Sequence, residues 1–288
     1  MVEAQDRLFG RNTIPNLGRN RRGMSHAHRR WVAQAEEEST RDAYSGNTQP
    51  EVGMFSKSAA YYDEIYASIG KDYARESSKA HRLIQKYSSA GGRTLLDVAC
   101  GTGHHAGFFG ENYQVTGLDL DPGMLSIARN KYPKIRFYTG NMLNFKLKKR
   151  FDAIVCLFSS IGYVKTRSNL QKALSCMDRH LAPGGVILIE PWFSPKQWHV
   201  GRVFTTQVNK PDLKIVRMSR SVLRGKISVI EFQYLIGTPQ GIEHAVEHHE
   251  LGLFTHTEYV RALRSVGLKV IHDAEGLDGR GLYIGIKS

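Results

Sequence analysis

Nowhere does the sequence contain an apolar run approaching the roughly 20 residues that a membrane-crossing helix requires. The first residues lack the apolar stretch of a secretion signal, and Glu3 and Asp6 argue against a transit peptide. A cytoplasmic protein that does not act at a membrane is therefore the expectation. Cysteine is scarce: Cys100, Cys156 and Cys176 make an odd count with no CxxC pair, which argues against zinc and disulfide frameworks. Cys100 and Cys156 end apolar runs and read as small buried thiols, and no metal site is expected. Lysine is missing from residues 1–53, which use arginine and are rich in Asn, Gly, Ser and Glu without a sustained apolar period. That stretch reads as a mostly disordered extension with a short helix near 28–38. Its run Arg19-Asn20-Arg21-Arg22, followed by Arg29-Arg30, reads as a solvated tail before it reads as a nucleic-acid contact.

What remains is ample for a core. A chain of 288 residues with 41% hydrophobic composition can build one large domain, or one domain carrying a modest insertion. The formal charge of +13 favours an anionic partner, whether a phosphorylated small molecule, a nucleic acid or an acidic surface. Charge alone does not choose among these.

From residue 54 the pattern becomes regular. Apolar runs at 94–99, 113–118, 136–139, 151–157 and 186–190 read as strands. They alternate with helical stretches at 104–111, 121–131 and 168–180, preceded by helices at 60–67 and 73–87. Asp121 and Pro122 suit an N-cap and first helical position, and Pro183-Gly184-Gly185 stops the helix before the fifth strand. Strands alternating with helices at this spacing predict a Rossmann-like, doubly wound, mostly parallel α/β sheet. After Pro191 the period changes: 214–223, 227–236 and 245–254 alternate like antiparallel strands, with turns at Gly225 and at Thr238-Pro239-Gln240-Gly241. A helix at 257–266, capped by Thr255 or Thr257, and closing strands at 270–273 and 282–286 complete the chain. The expected organisation is an extension at 1–53, a main domain at 54–192 and 255–288, and an inserted antiparallel sheet at 193–254. Such an insertion lies beside the carboxyl ends of the parallel strands, where sheets of this type bind ligands.

The segment Leu95-Leu96-Asp97-Val98-Ala99-Cys100-Gly101-Thr102-Gly103 ends a strand in an acidic residue and a glycine turn. Glycine lets the backbone take positive φ and lets a ligand approach the main chain. Sixteen residues beyond Gly103, at the end of the next strand, Asp119 can accept hydrogen bonds from both hydroxyls of a ribose. The G-x-G-x-x-G spacing of a dinucleotide site is absent, because His104 and His105 follow Gly103. Asp97 would repel a pyrophosphate but can pair with an ammonium group. S-adenosylmethionine (SAM) carries an amino-acid ammonium, a ribose and no phosphate, and fits better than NAD. Asn141-Met142, after the third strand, suit the adenine amino group and ring, and Met124 can cover the ribose and adenine. Met124 and Met142 have an equally good reading as core residues.

Further segments occur in a telling order: Tyr62-Asp63, Gly70-Lys71-Asp72-Tyr73, Phe158-Ser159-Ser160-Ile161-Gly162, Leu181 to Gly185 with Glu190-Pro191-Trp192, and Gly279-Arg280-Gly281-Leu282. Together with 95–103 they make the chain, over residues 54–286, resemble the bacterial N,N-dimethyltransferases of TDP-linked amino sugars, the desosamine and mycaminose type. The resemblance implies SAM as cofactor and a nucleotide-linked amino sugar, methylated twice on its amine, as acceptor. It implies cofactor contacts from Tyr62, Tyr73, Asp97, Ala99, Gly101, Gly103, Asp119, Leu120, Met124, Asn141, Met142 and Phe158. On the acceptor side it implies Trp192 and Arg280, with Arg280 on the nucleotide phosphates, a role that suits a guanidinium fork. Arg217 and Arg220 on the inserted sheet either add positive field or sit on an exposed strand face. Two departures fall at the acceptor end: the family places His where this chain has Tyr163, and Tyr where it has Met54.

A neutral amine must attack the methyl group, so a group that receives its proton helps. Tyr163 and Tyr62 are candidates for positioning the acceptor, since a phenol with pKa near 10 is a poor base at neutral pH. Glu190 reads as a proton acceptor or as a structural partner of a helix N-terminus. The competing functions are a methyltransferase of another small molecule, on oxygen or a different amine, an RNA methyltransferase, and a non-catalytic SAM-binding protein. No NPPY-type motif follows the fourth strand, where Leu157-Phe158-Ser159-Ser160 stands, and this argues against RNA bases. The edges of the inserted sheet offer pairing for a homodimer. Substituting Asp119→Ala is expected to weaken SAM binding strongly. Calorimetry on the purified variant checks this, and unchanged affinity removes Asp119 from the ribose role.

Overall fold

Apolar strands that are buried on both faces assemble best in the middle of a parallel sheet, and the chain follows that rule. The computed structural model describes residue 55 and residues 57–288; the expected extension and helix in the N-terminal stretch lie outside the described residues, as does Met54. After a short 3-10 turn (Ala59–Tyr61) come helices α1 (Tyr62–Ser68) and α2 (Tyr73–Tyr87). The main sheet then begins with β1 (Thr94–Val98), α3 (His104–Phe109), β2 (Gln114–Asp119), α4 (Pro122–Lys131) and β3 (Arg136–Thr139). It continues with β4 (Phe151–Cys156), a 3-10 turn (Ser160–Val164), α5 (Arg167–Arg179) and β5 (Leu181–Ile189).

A second sheet follows, made of β6 (Val203–Lys210), β7 (Leu213–Arg224), β8 (Ile227–Thr238) and β9 (Gly241–Gly252), in that spatial order and all antiparallel. Helix α6 (His256–Arg264), β10 (Lys269–Asp273) and β11 (Leu282–Ile286) return to the first sheet. Its order is β10-β11-β5-β4-β1-β2-β3. The strands β5, β4, β1, β2 and β3 pair parallel, and β11 runs against β5 and β10. The strand order reverses about β1, which has β4 on one side and β2 on the other, and the crevice at their carboxyl ends is where such sheets bind ligands.

Local chemistry explains the boundaries. Asp121 accepts from the amides of Gly123 and Met124, as its N-cap position predicts. Thr255, not Thr257, caps α6, in a reciprocal capping box with Glu258. Strand β5 starts earlier than the sequence suggests, at Leu181, and takes Pro183-Gly184-Gly185 into a register shift against β4. The reading from sequence missed β6 altogether. Its inward residues Phe204, Thr206 and Val208 alternate correctly, but Thr206 breaks the apolar signal.

The inner face of the second sheet packs against α1 and the turn that follows β4. Phe204, Ile215, Ile230 and Phe232 cluster there with Ile65, Trp192, Phe193 and Trp198, with Phe158 and Tyr163 at the margin. Among the described residues no helix is long and apolar enough to cross a membrane.

Candidate active site

The cleft opens where β1 and β4 end. Six of the residues expected around the cofactor line it: Tyr62, Tyr73, Asp97, Ala99, Gly101 and Phe158. The sequence reading passed over Cys100, Thr102, His104, His105, Leu157 and Ser160, which line the same cleft. Backbone strain concentrates here. Ala99 after β1 (φ 60°), and Phe158 and Ser159 after β4 (φ 51° and 60°), are three of four non-glycine residues with positive φ among the described residues. Such conformations cost about 1–3 kcal/mol each and persist only where the surroundings enforce them. At Gly103 (φ 80°) an added Cβ would press at 3.2 Å on Ala128, Phe137 and Tyr132, so the turn can lie close against α4 only with glycine.

Two carboxylates frame the glycine turn. Asp119 accepts from the amides of Gly101 and Asp121, both at 2.8 Å, which fixes its orientation while leaving lone pairs for a ribose. Burial raises its pKa. Asp97 is also buried, and one of its oxygens meets no hydrogen-bond partner. Burial first, and then the nearby charge of Asp119, push it up to about 8. The buried hydroxyl of Tyr73 is likewise unpartnered. An acidic oxygen and a phenol without partners, beside a turn that admits a ligand to the main chain, fit the ammonium and ribose of SAM.

The opposite wall is held by α1 and α2. Asp63 accepts from Thr102 (2.7 Å) and Lys131 (2.7 Å) and pairs with His104 (3.0 Å). Burial would raise this carboxyl, but those contacts outweigh it and hold it well below the usual range. Tyr73 stacks on His104 at 4.6 Å, with an interplanar angle of 11°. Beneath it, Glu76 binds His105 (2.9 Å) and Lys71 (2.5 Å), and their pull overcomes burial to place the carboxyl at about 2. These ties across the sequence had no local signal.

The nucleoside residues lie further along the sheet edge, after β2 and β3. Leu120 is 54% exposed there, free to cover a ring. Asn141 accepts from the Leu143 amide (2.9 Å) through its side-chain oxygen, the atom expected to meet the adenine amino group. Met142 is only partly buried against the main core. Met124 takes the core reading of its two, buried within α4.

Three acceptor-side expectations also need correction. Trp192 is buried in the second sheet's core and donates its ring N–H to Ser228 (2.9 Å), so it supports the site without lining it. Glu190 is not a free proton acceptor: fully buried, it takes the amide of Phe158 (2.5 Å) and the Arg280 guanidinium (2.6 Å). Arg280 is correspondingly inward, its side chain 1% exposed, with Asp278 as a second carboxylate at 3.6 Å, and presents no open face to phosphates. Arg217 and Arg220 part company. Arg220 is exposed, whereas Arg217 points inward, bonded to Thr206 (3.2 Å) and lying over Tyr66 and Phe232. Tyr62 and Tyr163 are brought to the same chamber, where Phe55 lies edge-on to both. His249, not anticipated, stands 2.8 Å from the Tyr163 hydroxyl.

Fold and site together define a class: a Rossmann-like, SAM-dependent methyltransferase. A protein-family profile described as "Methyltransferase domain" matches residues 95–185. The dTDP-3-amino-3,6-dideoxy-alpha-D-glucopyranose N,N-dimethyltransferase of Streptomyces fradiae is 36% identical over 244 residues, 84% of this chain and 95% of that protein. The dTDP-4-amino-2,3,4,6-tetradeoxy-D-glucose N,N-dimethyltransferase of Saccharopolyspora spinosa is 36% identical over 231 residues, 80% of this chain and 92% of that protein. The solved SAM-bound amino pentose methyltransferase of Micromonospora echinaspora involved in calicheamicin biosynthesis is 32% identical. It superimposes with a TM-score of 0.72 over 85% of this chain and 100% of that one. The chain belongs to the family of dTDP-amino-sugar N,N-dimethyltransferases.

Two outcomes follow from this geometry. Asp97 of the free protein titrates near pH 8 and is mostly protonated at pH 7, whereas an ammonium partner favours its ionised form. SAM binding at pH 7 is therefore expected to release up to about one proton, and affinity is expected to rise from pH 6 towards 8. Calorimetry in buffers of different ionisation enthalpy measures the release, and Asp97→Asn should abolish it. Replacing Arg280 with Met strands the Glu190 carboxylate, and is expected to cost about 3–5 kcal/mol in urea unfolding. A loss below about 1 kcal/mol, the range of exposed pairs, would show the ion pair to be dispensable.

Proposed function

We propose that this protein transfers two methyl groups from SAM to the amine of a dTDP-linked amino sugar. The observation that carries the reading is the reach of the relatives' identity. It spans 84% of this chain, taking in the second sheet and the turn after β4 as well as the SAM turn. The half of the molecule that would select an acceptor is thus shared, along with the half that binds the cofactor.

When bound, SAM supplies a methyl group on a sulfonium, activated for in-line displacement by a neutral amine. The protein's part is orientation and exclusion of water. Asp97, Tyr73 and the amides of the glycine turn would hold the amino-acid end, and Asp119 the ribose. Tyr62 and Phe158 stand between that cleft and the chamber containing Phe55, Tyr163 and His249. Burial raises the pKa of both Tyr62 and Tyr163, so neither phenol serves alone as a base and both act by hydrogen bonding. The inward Arg217 gives this chamber a positive field suited to an anionic acceptor. Three buried free thiols support the cytoplasm as the compartment. Outward apolar residues on the second sheet, including Val216, Met218, Leu235 and Val246, support a homodimer.

The relatives act on amines at different ring carbons, C3 in one and C4 in another. Incubating the protein with SAM and both kinds of dTDP-amino sugar, followed by mass spectrometry, is expected to show a gain of two methyl groups on one of them. Methylation on a hydroxyl, or no gain with either sugar, counts against the reading.

A further inference from the structure

The inner face of the second sheet carries more polar groups than a packed face normally tolerates. On β9 the inward positions are Ala245, Glu247, His249 and Leu251, and they face Phe232 and Tyr234 of β8 and Arg217 of β7. Buried polar side chains are normally satisfied and costly when they are not. Here all but one are engaged. Glu247 accepts from the amides of Lys57 (3.0 Å) and Ser58 (2.8 Å), from the Ser58 hydroxyl (2.8 Å) and from Tyr234 (3.1 Å). Burial alone would raise its carboxyl, but contacts with His249 and Ser58 outweigh burial and keep it ionised. Next to it His249 shares a hydrogen bond of 2.8 Å, through Nδ1, with the Tyr163 hydroxyl. Its Nε2 is buried without a hydrogen-bond partner, 3.5 Å from Glu247 Oε2.

We propose that Tyr163, His249 and Glu247 form a proton relay that takes the proton released by the acceptor amine at each methyl transfer. The inference rests on the amino-sugar reading above. Glu247 favours the tautomer with the proton on Nε2, which leaves Nδ1 to accept from Tyr163. The phenol oxygen then has its lone pairs free for the N–H of an acceptor amine.

In the transfer the nitrogen lone pair forms the new N–C bond, the C–S bond breaks and sulfur keeps the pair. The nitrogen is left cationic. Its proton passes to Tyr163 Oη as the proton of Oη passes to His249 Nδ1. Tyr163 ends neutral, and the imidazolium is stabilised by the carboxylate of Glu247, 3.5 Å from its Nε2. The amine is neutral again, which the second methylation requires.

The other charged and titratable groups around this array are Arg217 of β7, Tyr234 of β8, and Tyr62 and Tyr66 of α1, with Asp119 at longer range. Tyr163 touches the acceptor in this scheme; His249 and Glu247 act through it as positioning and proton-holding residues.

His249→Asn separates this role from simple packing, because asparagine can accept from Tyr163 but cannot take its proton. With SAM and saturating dTDP-amino sugar, kcat of the variant is expected to fall roughly tenfold to a hundredfold, within the usual range for proton-transfer catalysis. SAM affinity should stay within about twofold, since the array lies outside the cofactor cleft. Monomethylated sugar should accumulate, because the second methylation needs the amine neutral again. Tyr163→Phe and Glu247→Gln read the same effect if the asparagine variant fails to fold. In the ligand-free protein, ¹⁵N–¹H NMR of the imidazole should show the proton on Nε2. A variant that keeps the wild-type kcat and dimethyl product overturns the relay, as does an Nδ1 proton. A wild-type enzyme that methylates neither sugar overturns the substrate reading and the relay with it.

Discussion

The arrangement depends first on one buried carboxylate. Glu190 closes β5, the strand beside β4, and lies wholly out of water, so it must be matched by donors or it would destabilise the sheet. Its two partners are the features that shape the cleft. The amide of Phe158 comes from the left-handed turn after β4, and the guanidinium of Arg280 comes from the loop before β11. Holding the first keeps a strained turn in place, and holding the second draws the C-terminal loop over the sheet. An ion pair of this kind adds little net stability compared with apolar packing, but it allows few alternative geometries. Its use here is to fix the turn after β4, which lines the cleft through Phe158.

The carboxylates at the glycine turn are in a different electrical state. Asp97 and Asp119 are both raised by burial, so the free cleft stores an unfavourable interaction that a cationic ligand relieves. Around them, Asp63 and Glu76 are drawn the other way by His104, Lys131, His105 and Lys71. The inner carboxylates await a charge, and the outer ones have theirs. The difference separates the residues that meet the ligand from those that fasten α1 and α2 around it.

Much of this was legible in the sequence wherever the cause was local. The strand-turn-acid pattern at 95–119, the Asp121 cap and the alternation of β7 to β9 each depend on neighbours within a few positions. Where the cause is a pairing across the chain, the sequence was silent or misleading. Glu190 and Arg280 are 90 residues apart, Tyr163 and His249 are 86 apart, and Ser58 and Glu247 are 189 apart. Nothing in a short window distinguishes a carboxylate awaiting a substrate from one already bound to arginine. Arg217 is an intermediate case. It shares an inward face with Ile215 and Ser219, so the two-residue period announced its burial, although charge argued for exposure. His249 carried the same signal, two residues from Leu251 on one side and from Glu247 on the other.

The clasp between Ser58 and Glu247 gives the chamber the character of an interlock. Phe55 lies against Tyr163 and Tyr62, and Lys57 and Ser58 are fastened by the carboxylate that stands against His249. Lys57 and Ser58 supply three of that carboxylate's four donors, and a buried charge without them takes up a proton or water. The contacts that place Phe55 at the chamber and those that keep its carboxylate ionised are thus made by neighbouring residues, so covering and charge are coupled.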